Sequence, residues 1–85
     1  MKSGLIIYLV GGAQLPEDFD LASNCRKLGF DADRVELAGT RDGFFNVEDA
    51  WHHLVTEGYG NIQLLVVSVY ETRLQQFHPP LRLDG

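Results

Sequence analysis

The stretch LIIYLVGGAQLPEDFDLA, residues 5–22, decides the fold. Leu5–Val10 is nearly all apolar and rich in β-formers, with no alternation. A strand apolar on both sides is buried on both sides, the pattern of a central strand in a parallel sheet. Gly11 and Gly12 end it. Pro16 suits the first turn of a helix, where its missing N–H costs little. Glu17 and Asp18 complement the positive end of the helix dipole. Leu21, Ala22, Cys25 and Leu28 then recur at helical spacing. Gly29 stands where a C-terminal cap belongs. The stretch reads as strand, glycine turn and helix, the opening of an α/β unit.

Outward from there, RVELA (residues 34–38) alternates, with Val35 and Leu37 on one face. It reads as a short strand nearer a sheet edge. GTRDGFF follows as a loop. Asn46 is a good N-cap, and Glu48 and Asp49 occupy the first turn of a second helix. Val47, Ala50, Trp51, Leu54 and Val55 form its apolar stripe, and Gly58 ends it. IQLLVVSVY (62–70) is the third strand. The remainder, ETRLQQFHPPLRLDG, is weakly patterned: a short helix or strand, then a tail expected to fray from about residue 78. The order is β-α-β-α-β within a single domain over residues 1–85. Right-handed crossovers then predict a small three-layer α/β domain with a mainly parallel sheet in the order 2-1-3. The alternative takes Arg41–Phe45 as an extra strand and gives a ferredoxin-like β-α-β-β-α-β plan.

An 85-residue chain with 45% hydrophobic and 11% aromatic residues is a folded domain with a thin core. Seven basic and twelve acidic residues give a net charge of −5. That balance disfavours nonspecific nucleic-acid binding and adhesion to an anionic membrane. Cys25 is the single cysteine, so no intrachain disulfide forms and a reducing compartment fits. MKSGLIIYLVGG is a poor signal peptide, and no apolar run approaches the ~20 residues of a transmembrane helix. A cytoplasmic location is expected.

The glycine turn raises the question of phosphate binding. Gly11-Gly12-Ala13-Gln14-Leu15-Pro16 is neither G-x-G-x-x-G nor G-x-x-x-x-G-K-[ST]. Pro16 removes an N–H, and Glu17 and Asp18 put negative charge where an anion would sit. The turn reads as a bend out of the strand.

In an open parallel sheet, ligands bind beyond the carboxyl ends of the strands. The loops expected there carry Gly12, Ala13 and Gln14; Thr40, Arg41 and Asp42; and Ser68, Tyr70, Glu71 and Arg73. Arg41 suits a carboxylate or phosphate. The competing reading is a turn at Asp42-Gly43, with Phe44 and Phe45 capping the core. His52 and His53 diverge by ~100° on the helix and cannot share one metal. Each has an acid four residues earlier, Glu48 and Asp49, and both read as solvated i,i+4 pairs. Cys25 reads as a core residue. Ser68 lacks the flanking glycines of a nucleophile elbow. No catalytic constellation, cofactor motif or metal set emerges.

KSGLIIYLVGG (2–12), RVELAG (34–39) and FNVEDAWHHLVTEGYGNIQLLVVSVY (45–70) together resemble one half of the class II chelatases, the sirohydrochlorin cobaltochelatase type. The likeness runs from about Lys2 to Gln76. That family carries a metal-binding histidine directly after the first strand, where this chain has Gly12 and then Ala13. A second family histidine follows the later strand, where this chain has Gln75 and Gln76, with His78 slightly beyond. The resemblance therefore implies a chelatase-like fold without ordinary chelatase chemistry.

Three functions are expected from this reading. The first is a noncatalytic binding or assembly module, with a homodimer through the third strand or the tail. The second is a metal- or tetrapyrrole-binding enzyme of chelatase descent. The third is a binder of a small anion or nucleotide at the strand ends, through Gly12, Gln14, Thr40, Arg41, Asp42, Ser68, Tyr70 and Arg73.

Overall fold

The computed structural model describes residues 2–10, 19–40, 45–70, 73–76 and 79–83. Its elements are β1 (Ser3–Leu9), α1 (Leu21–Lys27), β2 (Arg34–Gly39), α2 (Val47–Thr56), β3 (Asn61–Tyr70), β4 (Arg73–Gln76) and β5 (Leu81–Leu83). β1 lies inside the sheet, parallel to β2 on one side and to β3 on the other. Its unbroken apolar sequence follows from that position. Leu5, Ile7 and Leu9 enter one core cluster with Cys25 of α1, Leu65, Val67 and Leu74. Ile6 enters the other, with Ala38, Leu64, and Ala50 and Leu54 of α2. Alternate residues of a strand face opposite sides, so each helix serves its own face of the sheet.

The sheet is a mixed one of five strands, which corrects the mainly parallel expectation. The predicted 2-1-3 order survives as its parallel part, within β2-β1-β3-β4. β4 and β5 both run antiparallel to β3. The reason lies in connection length. Tyr70 pairs with Arg73, so only residues 71–72 join β3 to β4. Two residues can close a hairpin, whereas a parallel return needs about a dozen or more. Within the tail, Leu81–Leu83 pairs with Ile62–Leu64. β3 is thereby paired along both flanks, and the outer edge on that side belongs to β4 and β5. The extra strand at Arg41–Phe45 falls mostly on residues 41–44, outside the described residues, and Phe45 makes a single parallel bridge to Ala38.

α1 begins later than Pro16 and Glu17 suggest. Asp20 is its N-cap, in extended conformation, and its carboxylate accepts from the Ser23 N–H at 3.0 Å. The first turn of α1 contains no acidic residue. A capping carboxylate directly before the apolar stripe outweighs the dipole preference of acids farther upstream. At its other end Gly29 has φ +92°, the Gly29 N–H reaches the Arg26 carbonyl, and the Phe30 N–H reaches the Cys25 carbonyl. Those two bonds make a Schellman stop, which needs the left-handed backbone that glycine adopts without strain.

α2 forms as its sequence implies. Asn46 Oδ1 accepts from the Asp49 N–H at 2.7 Å, and Gly58 and Tyr59 repeat the Schellman pattern onto Val55 and Leu54. Ala50 and Leu54 are wholly buried. Val55 is 43% exposed, which removes it from the buried stripe. It lies ~100° around the helix from Leu54, at the margin of the apolar face. Gly4 of β1 sits beneath α2, where an added Cβ would stand 3.0 Å from Leu54 Cδ1. Its missing side chain lets Leu54 approach the sheet.

Candidate functional site

The topology brings the carboxyl ends of the three parallel strands together, since Leu9 is paired with both Gly39 and Val67. Thr40 and Ser68 therefore follow directly from that line. Thr40 is exposed and Ser68 half-buried, and Ser68 lies opposite Gln75 in the β3–β4 hairpin. Tyr70 and Arg73 pair with each other in that hairpin instead of lying in an open loop. Gly12, Gln14, Arg41 and Asp42 lie outside the described residues, as do the side chains of Tyr70 and Arg73. The glycine turn, with Pro16, Glu17 and Asp18, also lies outside them.

Two features on the α2 face carry the chemistry among the described residues. The first is a polar cluster at the β2 side. In RVELA, Glu36 shares a face with Arg34 and Ala38, opposite Val35 and Leu37, and α2 lies over that face. Only 9% of Glu36 is exposed. Its Oε1 is 3.1 Å from Arg34 Nε and 3.0 Å from His53 Nδ1. Glu57 stands 3.0 Å from His53 Nε2 and 3.6 Å from Arg34. The carboxylates of Glu36, and secondly Glu57, push the Arg34 guanidinium pKa further up, so its charge is permanent. His53 thus turns to Glu36 and Glu57, not to Asp49 as expected. Its Nδ1 is buried and close to Glu36 but not aligned for a hydrogen bond. The cluster ties β2 to α2 with offsetting charges. The two nitrogens of His53 face different carboxylates, so the three groups do not converge on one point. No set of three or more His, Cys, Asp or Glu side chains among the described residues is arranged to hold a metal ion.

His52 behaves as expected, in an exposed contact of 3.8 Å with Glu48. Phe45 does not cap the core: it is 47% exposed, and its ring meets that of His53 at 5.9 Å. Cys25 is buried, and burial pushes its thiol pKa up against a smaller opposing effect of Arg26. A thiol held in its protonated form is a poor nucleophile.

The second feature is an open groove of about 490 Å³ at the other side of α2, lined by Val47, Glu48, Trp51, Arg82 and Leu83. It arises because α2 leans on β1 and β2, while β5 extends the sheet beyond β3. Trp51 and Leu83 pack against the α2-face core from its margin. Beside the groove, Leu81 is 50% exposed. The sequence reading missed this feature, because it needs the return of the tail as β5. The one local signal was the heavy apolar pattern of α2, which exceeds what one sheet face covers.

No helix among the described residues is long and apolar enough to cross a membrane. No protein family, curated protein or solved structure matches the chain.

Proposed function

We propose that this chain is a noncatalytic binding or assembly module, a three-layer α/β unit of chelatase-like layout, that meets its partner at the groove between α2 and β5. The groove itself carries this reading. An apolar lining of Val47, Trp51 and Leu83, with the exposed Glu48 beside it, has the make-up of a recognition surface. The polar cluster of Arg34, Glu36, His53 and Glu57 is compatible with the same reading, because its charged groups turn to one another across β2 and α2.

A second reading rests on the alignment of the strand ends at Leu9, Gly39 and Val67. There the module binds a small anion, a tetrapyrrole or a metal in the corner that contains Thr40 and Ser68. A titration of the 15N-labelled protein with Co²⁺, a tetrapyrrole and phosphate separates the two. The groove reading expects no saturable shift at Gly12–Gln14, Thr40–Phe45 or Ser68–Arg73. A saturable shift there would replace it with the second reading, and the responsible ligand would distinguish chelatase descent from anion binding.

A further inference from the structure

We propose that β5 is a detachable strap. It lifts from β3 as a unit while β4 and the rest of the sheet stay folded, and only its docked position forms the groove. The inference rests on the groove reading above and makes one wall of that groove movable.

The strand register changes between β4 and β5. In the β3–β4 hairpin Val67 stands opposite Gln76. Continued without a break, that register would set residue 79 opposite Leu64. Leu81 stands there instead. The slip has a cause in the sequence. Pro79 and Pro80 have no N–H and cannot donate to a ladder, and β5 starts at the first residue beyond them. The register of one strand is not continued by the other, so β5 can let go without taking β4 with it.

The two strands are also held differently. β4 carries Leu74, buried in the α1-face core. β5 has three residues. Leu81 is 50% exposed, Arg82 is exposed on the opposite face across from Gln63, and of the three only Leu83 packs against a core cluster. A short strand with little buried surface belongs to the part of a fold that opens locally at low cost.

Docking of β5 decides what the α2 face offers. With β5 in place, Leu83 lines the groove together with Trp51. With β5 lifted, that wall is gone, and the flank of β3 at Ile62–Leu64 loses its cover. A partner that binds against Leu83 recognises the docked state alone and holds it by differential affinity. The groove is thus a site that can be switched off without unfolding the protein.

Amide exchange of the 15N-labelled protein in water and in low urea tests the proposal. The amides shared by β3 and β5 should exchange about tenfold faster or more than those shared by β3 and β4, with rates that hardly change with urea, as in local opening. Leu83→Ser should speed the first group by about a further tenfold and leave the second unchanged. Equal protection of the two groups with the same urea dependence overturns the proposal, because β5 then leaves only with the whole sheet. So does a Leu83→Ser variant that speeds both groups together or neither. No groove ligand takes part in these measurements, so the groove reading is still decided by the titration above.

Discussion

The two faces of the sheet carry similar cores and are finished differently. On the α1 face, seven buried residues, Leu5, Ile7, Leu9, Cys25, Leu65, Val67 and Leu74, are ringed by seven partly buried apolar side chains. Several of those come from outside the helix, including Phe19, Phe30 and Ala32. α1 has only seven residues, yet the segments flanking it extend the cover, leaving a smaller cavity of about 170 Å³ beside Leu28 and Leu74. On the α2 face the helix is longer, ten residues, but it completes neither side. A charged cluster closes the β2 side, and the β5 side stays open as the groove. Helix length therefore does not decide how well a face is sealed. What differs is whether the chain entering and leaving the helix packs back against the core. Phe19 and Phe30 flank α1 and both pack on its core, whereas of the equivalent Phe45 and Tyr59 of α2 only Tyr59 does, and Phe45 is 47% exposed. One face is covered largely by apolar chain, and the other keeps an open apolar groove.

The sharpest way to break this comparison is truncation at the centre of each face. Leu54 is wholly buried and is the largest buried side chain by which α2 grips the sheet. Leu54→Ala should cost about 2–5 kcal/mol, the range for deleting a buried leucine. Leu28, half-buried among many apolar neighbours of α1, should cost visibly less on the same change. Urea unfolding of both variants gives the ordering. Equal losses would mean that α2 is held by more than its two buried residues, and the contrast between the faces would fail.

Much of this architecture was legible before the structure, and the failures have physical causes. β1, β2, β3 and α2 could be read because their signals are local: an unbroken apolar run, an alternation, a cap before a stripe. β4 could not. RLQQ has little strand character, and it is extended because β3 leaves an edge that a two-residue turn can reach. Strand formation here is set by the neighbour, not by propensity. The start of α1 was misplaced because Pro16, Glu17 and Asp18 are good helix-start residues, yet Asp20 is a better-placed cap. The alternation of RVELA sets Val35 and Leu37 on one face, but the burial of Glu36 on the other depends on α2 lying over β2. His53 has an acid at i−4 and another at i+4, and only the fold selects Glu57 and adds Glu36. In the candidate corner, Thr40 and Ser68 were brought to one line by topology alone, whereas the groove required β5, which no local pattern announced.

The polar side of the α2 face gives a smaller effect. Glu36→Ala removes the shared partner of Arg34 and His53 and leaves both side chains with Glu57 alone. The expected loss is smaller than that of Leu54→Ala, because the exposed Arg34 regains water in place of Glu36. Denaturant titration measures it directly. A variant as stable as wild type would show that the cluster fills space between β2 and α2 without holding them together. The polar side would then join the groove as surface that stability does not require.

The smallest effect belongs to Val55. Its side chain stands at the margin of the stripe and is 43% exposed. In dilute solution Val55→Lys should shift stability by no more than about 0.5 kcal/mol, as surface substitutions do. Thermal unfolding of both proteins reads the difference. A silent substitution would leave the margin of α2 as exposed apolar surface. A larger loss would return Val55 to the core and narrow the contrast between the faces.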